Sequence, residues 1–347
     1  MNPHPLQAYW SMAAAAVQTR ALSTALKLGV FESLKEALSA KELATKLELN
    51  VDNTAHLLDL LWSMGLLERD TCFTPSNRDN HSPRYQSAAI AKTYFLRASP
   101  LWYGDAWRCR EARLGQFASS FRDQVQLGAR TENTEALEHF KRQWASAAHV
   151  QLAQDQNVAT VPAALEIMSR VPEFASANRL LDLGGGPGWV AIELARQQNG
   201  LSCVVFDFPD AVAVAKENVT TAGLADRIGV LGGDLATDDI GSDYDLIWCS
   251  SVLHFVPDVQ LSLIKMHAAL RPGGTLVCAH AEVSSDPATA AQVLQYYLPM
   301  LMQGRHVGQQ GDMAAAMNTV GFSKIESFVC RMFPMVPLTV VVGRKEE

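Results

Sequence analysis

The chain lacks the features that mark several classes of protein. None of its six cysteines stands in a Cys-x-x-Cys pair, so the sequence predicts neither a zinc site nor a disulfide framework. The N-terminus has no basic segment followed by an apolar one, and no apolar run reaches the about 20 residues that a membrane span needs. We therefore expect no metal, no signal peptide and no membrane partner, and we predict a reducing, cytoplasmic location.

Charge is also scarce. Charged residues make up 19% of the 347 positions, the formal net charge is -7, and 48% of the residues are hydrophobic. Proteins that neutralise the phosphates of nucleic acids are usually basic, so this balance argues against nucleic acid as a partner. The apolar fraction is ample for a large core, and the length suggests two or three domains.

The first hundred residues are predicted to be helical. An Ala- and Leu-rich helix runs from Tyr9 to Leu28, and Gly29 is a plausible stop. Ser39 can cap the next helix together with Glu42, as in a capping box. A further helix is expected to begin near Val51.

A β-wing is expected after these helices, from Leu67 to Pro75, which completes a winged-helix pattern. Winged helices either bind DNA or serve as folding and dimerisation modules. The helix that would enter DNA, Thr54 to Met64, has no lysine or arginine and so has little to offer phosphates. We therefore predict a dimerisation domain over residues 1–105 and a homodimer through its apolar first helix.

A polar, Pro-containing loop is predicted from Thr74 to Tyr85, followed by helices from Gln86 to about Met168. We predict that residues 106–168 form a helical cover over the substrate pocket. Trp144 and His149 are candidate contacts to the substrate in this segment.

The character of the sequence changes after Asn178. Short apolar runs alternate with helical stretches up to the C-terminus, which predicts an α/β domain over residues 169–347 with a mainly parallel, doubly wound, Rossmann-like sheet. No helix is predicted between the last two strands, KIESFV and PLTVVV. These two strands are expected to pair as a hairpin, which makes one of them antiparallel.

A glycine-rich turn follows the first strand of this domain, in the segment LLDLGGGPGW. Gly184 and Gly186 allow positive φ and close approach of the backbone to a ligand, and such a turn lies at the switch point of a doubly wound sheet. Asp182 is expected near the end of the strand, facing the crevice.

Acidic residues follow the next two strands. Asp207 can accept hydrogen bonds from both ribose hydroxyls of an adenosine ligand, and its neighbour Phe208 is included in the predicted cofactor site. Asp234 can meet the adenine amino group, while Leu235 can pack on the face of the ring.

Two adenosine cofactors fit this pattern. The segment from Gly186 to Ala191 has the G-x-G-x-x-A form of a dinucleotide fingerprint. Asp182, however, stands just ahead of the glycines, where it would repel a pyrophosphate but could hold the ammonium group of a methionine moiety. The later segment ALRPGGTLV is of a type found in methyltransferases. These two features favour S-adenosylmethionine (SAM) over the dinucleotide NAD, and the prediction of SAM as the cofactor rests mostly on the family resemblance that follows.

Taken together, the winged-helix half and the segments LDLGGGPG, VFDFPDAV, GD, LH, LRPGG and the late GF resemble the small-molecule O-methyltransferase family of plants and bacteria. The resemblance covers nearly the whole chain. It implies that Gly184 and its neighbours hold the methionine part of SAM, that Asp207 binds ribose and Asp234 adenine, and that the backbone near Ser250 lies beside the cofactor.

The resemblance also implies a general base, His254 in the segment VLHFVPD. The chain departs from the family here: Phe255 and Val256 replace the Asp and Trp that usually follow, and His280 takes the place of a Glu that orients the base. The later G-G-x-E-R-T segment of the family is altered to QGRHVGQQG. Without a carboxylate partner, His254 is expected to be a weaker base.

The methyl acceptor is expected to be a small molecule, with Met300 and Arg305 as further candidate contacts. O-methylation assisted by His254 is the leading hypothesis. Methylation of sulfur or nitrogen by positioning alone is an alternative, and Arg305 could then hold a carboxylate of the acceptor. A SAM-sensing winged-helix regulator, and a SAM-binding enzyme of another reaction, are further alternatives.

Overall fold

A computed structural model describes residues 4–70, 82–128 and 148–347. The chain divides into two compact units, Met1–Ala112 and Arg113–Glu347. The predicted domain boundaries after residues 105 and 168 stay predictions. Within the described residues, no helix has the length and apolar character needed to cross a membrane.

Helices dominate the N-terminal unit, and their ends follow the predicted signals. Helix α1 (Gln7–Leu28) ends at Gly29, whose φ of 69° lets its N–H bond to the carbonyl of Ala25. After α2 (Val30–Ser33), helix α3 (Ala40–Leu47) begins with the predicted capping box between Ser39 and Glu42. Helix α4 (Val51–Ser63) follows.

A small antiparallel sheet completes this part of the unit, with strand order β1-β3-β2. Its strands are β1 (Leu38–Ser39), β2 (Leu67–Arg69) and β3 (Arg84–Ser87). The predicted boundary between a loop ending at Tyr85 and a helix starting at Gln86 was wrong, because both residues lie in β3. Residues 74–81 of the predicted loop lie outside the described residues. Tyr85 and Ser87 both point into the core from alternate positions of β3, a period of two that suits a strand. Helices α5 (Ala89–Tyr94) and α6 (Gly104–Leu127) come next.

The boundary between the units falls within α6, and the next described segment of the C-terminal unit is an irregular helical stretch. Helix α7 (Ala153–Asp155) lies between two π-helical turns, Ala148–Leu152 and Gln156–Thr160, and α8 (Val161–Met168) follows. A 3₁₀ turn at Pro172–Ser176 then leads into the sheet. π-helical turns are rare and occur often at functional sites.

A seven-stranded sheet forms the centre of this unit, in the order β11-β12-β8-β7-β4-β5-β6. Strands β4 to β8 are parallel, and β12 is antiparallel to both of its neighbours, which confirms the predicted C-terminal hairpin. The strands are β4 (Arg179–Leu183), β5 (Ser202–Asp207), β6 (Ile228–Gly232), β7 (Tyr244–Ser250), β8 (Leu270–His280), β11 (Ser323–Cys330) and β12 (Leu338–Arg344). The two-residue strands β9 (Glu282–Val283) and β10 (Gly308–Gln309) form a separate parallel pair.

Apolar layers cover both faces of the large sheet. The helices of this unit are α9 (Trp189–Gln197), α10 (Pro209–Thr221), α11 (Val259–Ala269), α12 (Pro287–Met302) and α13 (Asp312–Thr319). Sequence reasoning missed α12, although Asp286 caps it and Pro287 occupies its first turn, a recognised pair of start signals. Pro299 within the helix and the apolar residues around it make the helical periodicity of this segment difficult to recognise.

Candidate active site

The turn after β4 can be built only from glycine at its first position. Gly184 has φ of 70° and Gly186 has φ of 51°, both in the left-handed region. A Cβ atom on Gly184 would lie 2.2 Å from Cγ2 of Val252. The main chain of the turn therefore lies against the segment that follows β7, with no space for a side chain between them.

The carboxylate of Asp207 forms hydrogen bonds that connect this turn to the end of β5. Its carboxylate accepts the N–H of Gly186 at 2.8 Å through Oδ2 and the N–H of Phe208 at 2.7 Å through Oδ1. Asp207 is only 6% exposed, and hydrogen bonds to a buried carboxylate are stronger than those between neutral groups. The bond to Gly186 thus adds to the backbone bonds from Gly184 and Gly185 to the carbonyl of Phe206, which also join the turn to β5.

Asp182 lies elsewhere than predicted. It does not face the crevice but is 2% exposed beneath the turn, where its Oδ2 accepts the N–H of Ala191 at 3.2 Å. A Cβ on Gly185 would lie 2.7 Å from this same oxygen, so the turn passes directly over the carboxylate. Burial, reinforced by the nearby charge of Asp207, raises the pKa of Asp182 to about 7. The prediction that Asp182 faces the crevice was therefore wrong.

Gln156 is a contact of the turn that sequence reasoning missed. Its amide Nε2 donates to the carbonyl of Gly185 at 2.9 Å, while its Oε1 accepts the N–H of Trp189 at 3.1 Å. The side chain thus bridges the turn and the start of α9. Gln156 begins the second π-helical turn. It lies about thirty residues before the glycines, and no sequence motif links the two, so this contact could not be predicted.

A pocket opens beside the turn, at the carboxyl ends of β4, β5 and β6, which is the binding position expected for a doubly wound sheet. It contains five of the predicted cofactor residues: Gly184, Asp207, Phe208, Asp234 and Leu235. The remaining lining residues are Leu183, Phe206, Gly233, Val252, Phe255 and Val256. The predicted Gly186 lies in the turn, and Ser250 ends the neighbouring strand β7.

His254 lies just beyond this pocket and is 3% exposed. Its Nδ1 is 2.8 Å from the carbonyl oxygen of His306, and its ring centroid is 4.8 Å from that of Tyr297. A carbonyl can only accept, so Nδ1 carries the proton and Nε2 carries a lone pair. That Nε2 is buried without a hydrogen-bond partner among the described residues. Burial lowers the pKa of His254 to about 4.

His280 lies next to His254, with ring centroids 5.3 Å apart. It is 2% exposed, and its Nε2 accepts the backbone N–H groups of Val252 at 3.2 Å and Leu253 at 3.1 Å. Burial, reinforced by His254 and His306, lowers the pKa of His280 well below its ordinary value. Both histidines are therefore neutral at pH 7.

The predicted acceptor contacts are less closely grouped. Met300 lies half-buried on α12, and the half-buried Arg305 has its guanidinium carbon 5.5 Å from the ring centroid of Phe255 in the pocket lining. His149 is exposed in the first π-helical turn. Trp144 lies outside the described residues. The carboxylate of Glu282, two residues after His280, accepts the N–H groups of Gly311 and Met313 at the start of α13.

Comparison with known families gives two matches that together span most of the chain. A family model described as an O-methyltransferase domain matches residues 135–323, and one described as an O-methyltransferase dimerisation domain matches residues 10–97. The first match alone covers more than half of the chain. The chain therefore belongs to the O-methyltransferase family.

Individual relatives agree with this class. The chain is 28% identical over 290 residues to 3-hydroxy-5-methyl-1-naphthoate 3-O-methyltransferase of Streptomyces sahachiroi, covering 78% of this chain and 75% of the relative. It is 27% identical over 302 residues to the N,N-dimethyltransferase OxyT of Streptomyces rimosus, covering 83% and 81%. The structure of human N-acetylserotonin methyltransferase in complex with SAM is similar in fold, with a TM-score of 0.77, 20% identity and full coverage of both chains.

The protein is a SAM-dependent methyltransferase, and SAM is its cofactor. The pocket suits an adenosyl group on physical grounds as well. Its apolar lining is bounded by acids at two strand ends, and the turn beside it leaves no space for a side chain at Gly184. The hypothesis of a SAM-sensing regulator gains no support from these comparisons.

The bridge formed by Gln156 generates a prediction about cofactor affinity. Replacement by methionine, which keeps the length but removes both hydrogen bonds, is expected to weaken binding of S-adenosylhomocysteine about 10-fold, since two partly buried hydrogen bonds are lost. Gln156→Glu is expected to weaken it at least as much, because a carboxylate cannot donate to the carbonyl of Gly185.

Calorimetric titration of each variant measures this effect. Gln197→Ala, an exposed glutamine at the end of α9, is the matched control and is expected to bind like the wild type. Unchanged affinity in both Gln156 variants would show that the bridge does not shape the cofactor site.

Proposed function

We propose that this enzyme methylates a hydroxyl oxygen of a small molecule and that His254 accepts the proton of that hydroxyl. The observation that carries the proposal is the state of the His254 ring. Its Nδ1–H is held by the carbonyl of His306, while its buried Nε2 has no hydrogen-bond partner in the described part of the chain. A lone pair fixed in this way is what a general base requires.

The cofactor residues are proposed from their places around the pocket. The main chain at Gly184 and Gly186 faces the methionine part of SAM, and Asp207 faces the ribose. Asp234, with Leu235 and Phe208, surrounds the adenine, and Ser250 lies beside the cofactor. Support comes from the pocket lining and from the hydrogen bonds of Asp207, which place its carboxylate at the edge of the glycine turn.

Bound SAM supplies an electrophilic methyl group on a positively charged sulfonium. The residues around the acceptor position suit such a neighbour because His254 and His280 are both neutral at pH 7. An imidazolium here would repel the sulfonium in a site from which water is largely excluded. Positioning of the acceptor against the methyl group contributes a further several kcal/mol.

The low pKa of His254 limits which acceptors it can serve. Proton transfer from a phenol of pKa about 10 to a base whose pKa burial lowers to about 4 is unfavourable. Acidic hydroxyl groups, such as those of electron-poor rings, are therefore expected to be the best oxygen acceptors.

Methylation of nitrogen is a second candidate, favoured by two specific observations. A neutral amine need not lose its proton before transfer, which suits a weak base, and the relative OxyT is named as an N,N-dimethyltransferase. In either reaction, Arg305 is proposed to hold an anionic group of the acceptor, since its guanidinium lies against Phe255 at the edge of the pocket.

The two candidates differ in what they predict for His254→Ala. O-methylation is expected to lose about 100-fold or more in kcat, because general-base catalysis contributes about that much. N-methylation is expected to retain most of its kcat. The assay measures S-adenosylhomocysteine formation with a panel of phenols, hydroxy acids, thiols and amines, and identifies each product by mass.

His267→Ala is the matched control for this experiment. His267 lies on α11 with its ring against Phe322, away from the pocket lining, so the variant is expected to keep full activity. An oxygen acceptor turned over equally well by wild type and His254→Ala would contradict the proposed base.

We further propose a homodimer formed through the first half of α1. Tyr9, Trp10, Met12 and Val17 are each more than 60% exposed, a large apolar surface on one helix. The match to the dimerisation domain begins at residue 10, within this surface.

The double variant Trp10→Glu and Met12→Glu is expected to be monomeric, because dimerisation would bury two unpaired charges in each subunit. Light scattering at micromolar concentration measures the mass. Leu261→Glu, an exposed apolar position on α11, serves as the control and is expected to remain dimeric. A wild-type chain that scatters as a monomer would overturn the proposal.

A further inference from the structure

The His280 ring accepts two hydrogen bonds at a single nitrogen. Both donors, the amides of Val252 and Leu253, belong to the segment that joins β7 to His254. Because an amide N–H can only donate, Nε2 of His280 must carry a lone pair, and the proton of the neutral ring lies on Nδ1. That Nδ1 has no hydrogen-bond partner among the described residues, so the two amide bonds are the hydrogen bonds described for the ring.

The segment that His280 holds has an unusual conformation. Ser251 has φ of 56°, in the left-handed region that few residues other than glycine adopt, and its N–H bonds to the carbonyl of Ala279, next to His280. A conformation of this kind persists only when its surroundings fix it. Loss of the acceptor at His280 would leave two amides unpaired in the same turn.

Two parts of the active site depend on this turn. Val252 lines the cofactor pocket and lies against Gly184, where a Cβ atom would come within 2.2 Å of its Cγ2. His254 follows Leu253 directly and is 3% exposed. A shift of the turn would therefore move the pocket lining and the proposed base together.

We propose that His280 is a positioning residue, whose unprotonated Nε2 anchors the turn that carries both the proposed base and the lining of the cofactor pocket. The part of the inference that concerns the base rests on the function proposed above. Protonation of Nε2 would place a third donor against the two amides and release the turn. Among the described residues, the titratable groups whose charge acts on His280 are His254 and His306, and neither is a carboxylate that could stabilise an imidazolium.

The first test uses the wild-type chain bound to S-adenosylhomocysteine, with ¹⁵N-labelled histidine observed by NMR. The His254→Gln variant assigns the two buried rings. His280 is expected to remain the Nδ1–H tautomer from about pH 8 down to about pH 6, whereas an ordinary histidine is largely protonated at the lower limit. A proton on Nε2 at any point in this range would overturn the proposal.

The second test compares two substitutions at His280. The carbonyl oxygen of His280→Gln can accept both amides, while His280→Leu has similar bulk and no acceptor. We expect His280→Leu to weaken binding of S-adenosylhomocysteine about 10-fold and His280→Gln to stay within about 3-fold of the wild type. Equal affinities for the two variants would contradict the anchoring role.

Circular dichroism measures whether both variants are folded. If either is not, the tautomer measurement on the wild-type chain tests the proposal instead. A wild-type chain that failed to bind S-adenosylhomocysteine would contradict the assignment of the pocket. An Nε2-protonated His280 in a wild-type chain that does bind it would contradict only the present inference.

Discussion

The cofactor site depends on one buried carboxylate. Asp207 accepts the amides of Gly186 and Phe208 and so joins the glycine turn after β4 to the end of β5. The glycine turn lies against Val252, whose amide donates to His280. Val252 belongs to the segment after β7 that leads to His254. A short series of hydrogen bonds and close contacts thus connects the predicted ribose site to the proposed base.

The second constraint is the neutral state of the two histidines beside the proposed acceptor position. Burial keeps both His254 and His280 neutral, and the partners described for them are backbone carbonyl and amide groups rather than carboxylates. This arrangement tolerates a sulfonium but makes His254 a weak base. The enzyme would then depend on positioning and on the acidity of its acceptor as well as on proton abstraction by His254.

Much of this site could be predicted from the sequence because its residues occupy fixed places in a repeating pattern. Parallel strands end at one edge of the sheet, so Gly184, Asp207 and Asp234 could be assigned to one pocket from their positions after successive strands. The orientation of the Asp182 side chain could not be predicted, because a side chain near the end of a strand can face either the crevice or the interior, and this depends on packing. The contacts of Gln156 and of the His306 carbonyl could not be predicted either, since their partners are distant in sequence. Strand β3 was missed because its inward residues, Tyr85 and Ser87, include a polar one.

The most direct test of this account is calorimetric titration of Asp207→Asn with S-adenosylhomocysteine. The substitution keeps the shape of the side chain but removes its charge and turns one of its two acceptor atoms into a donor. Affinity is expected to fall about 10- to 100-fold, as it does when a charged acceptor is lost. Asp210→Asn, an exposed position in the first turn of α10, is expected to bind like the wild type. Full affinity in Asp207→Asn would contradict the central role of this carboxylate.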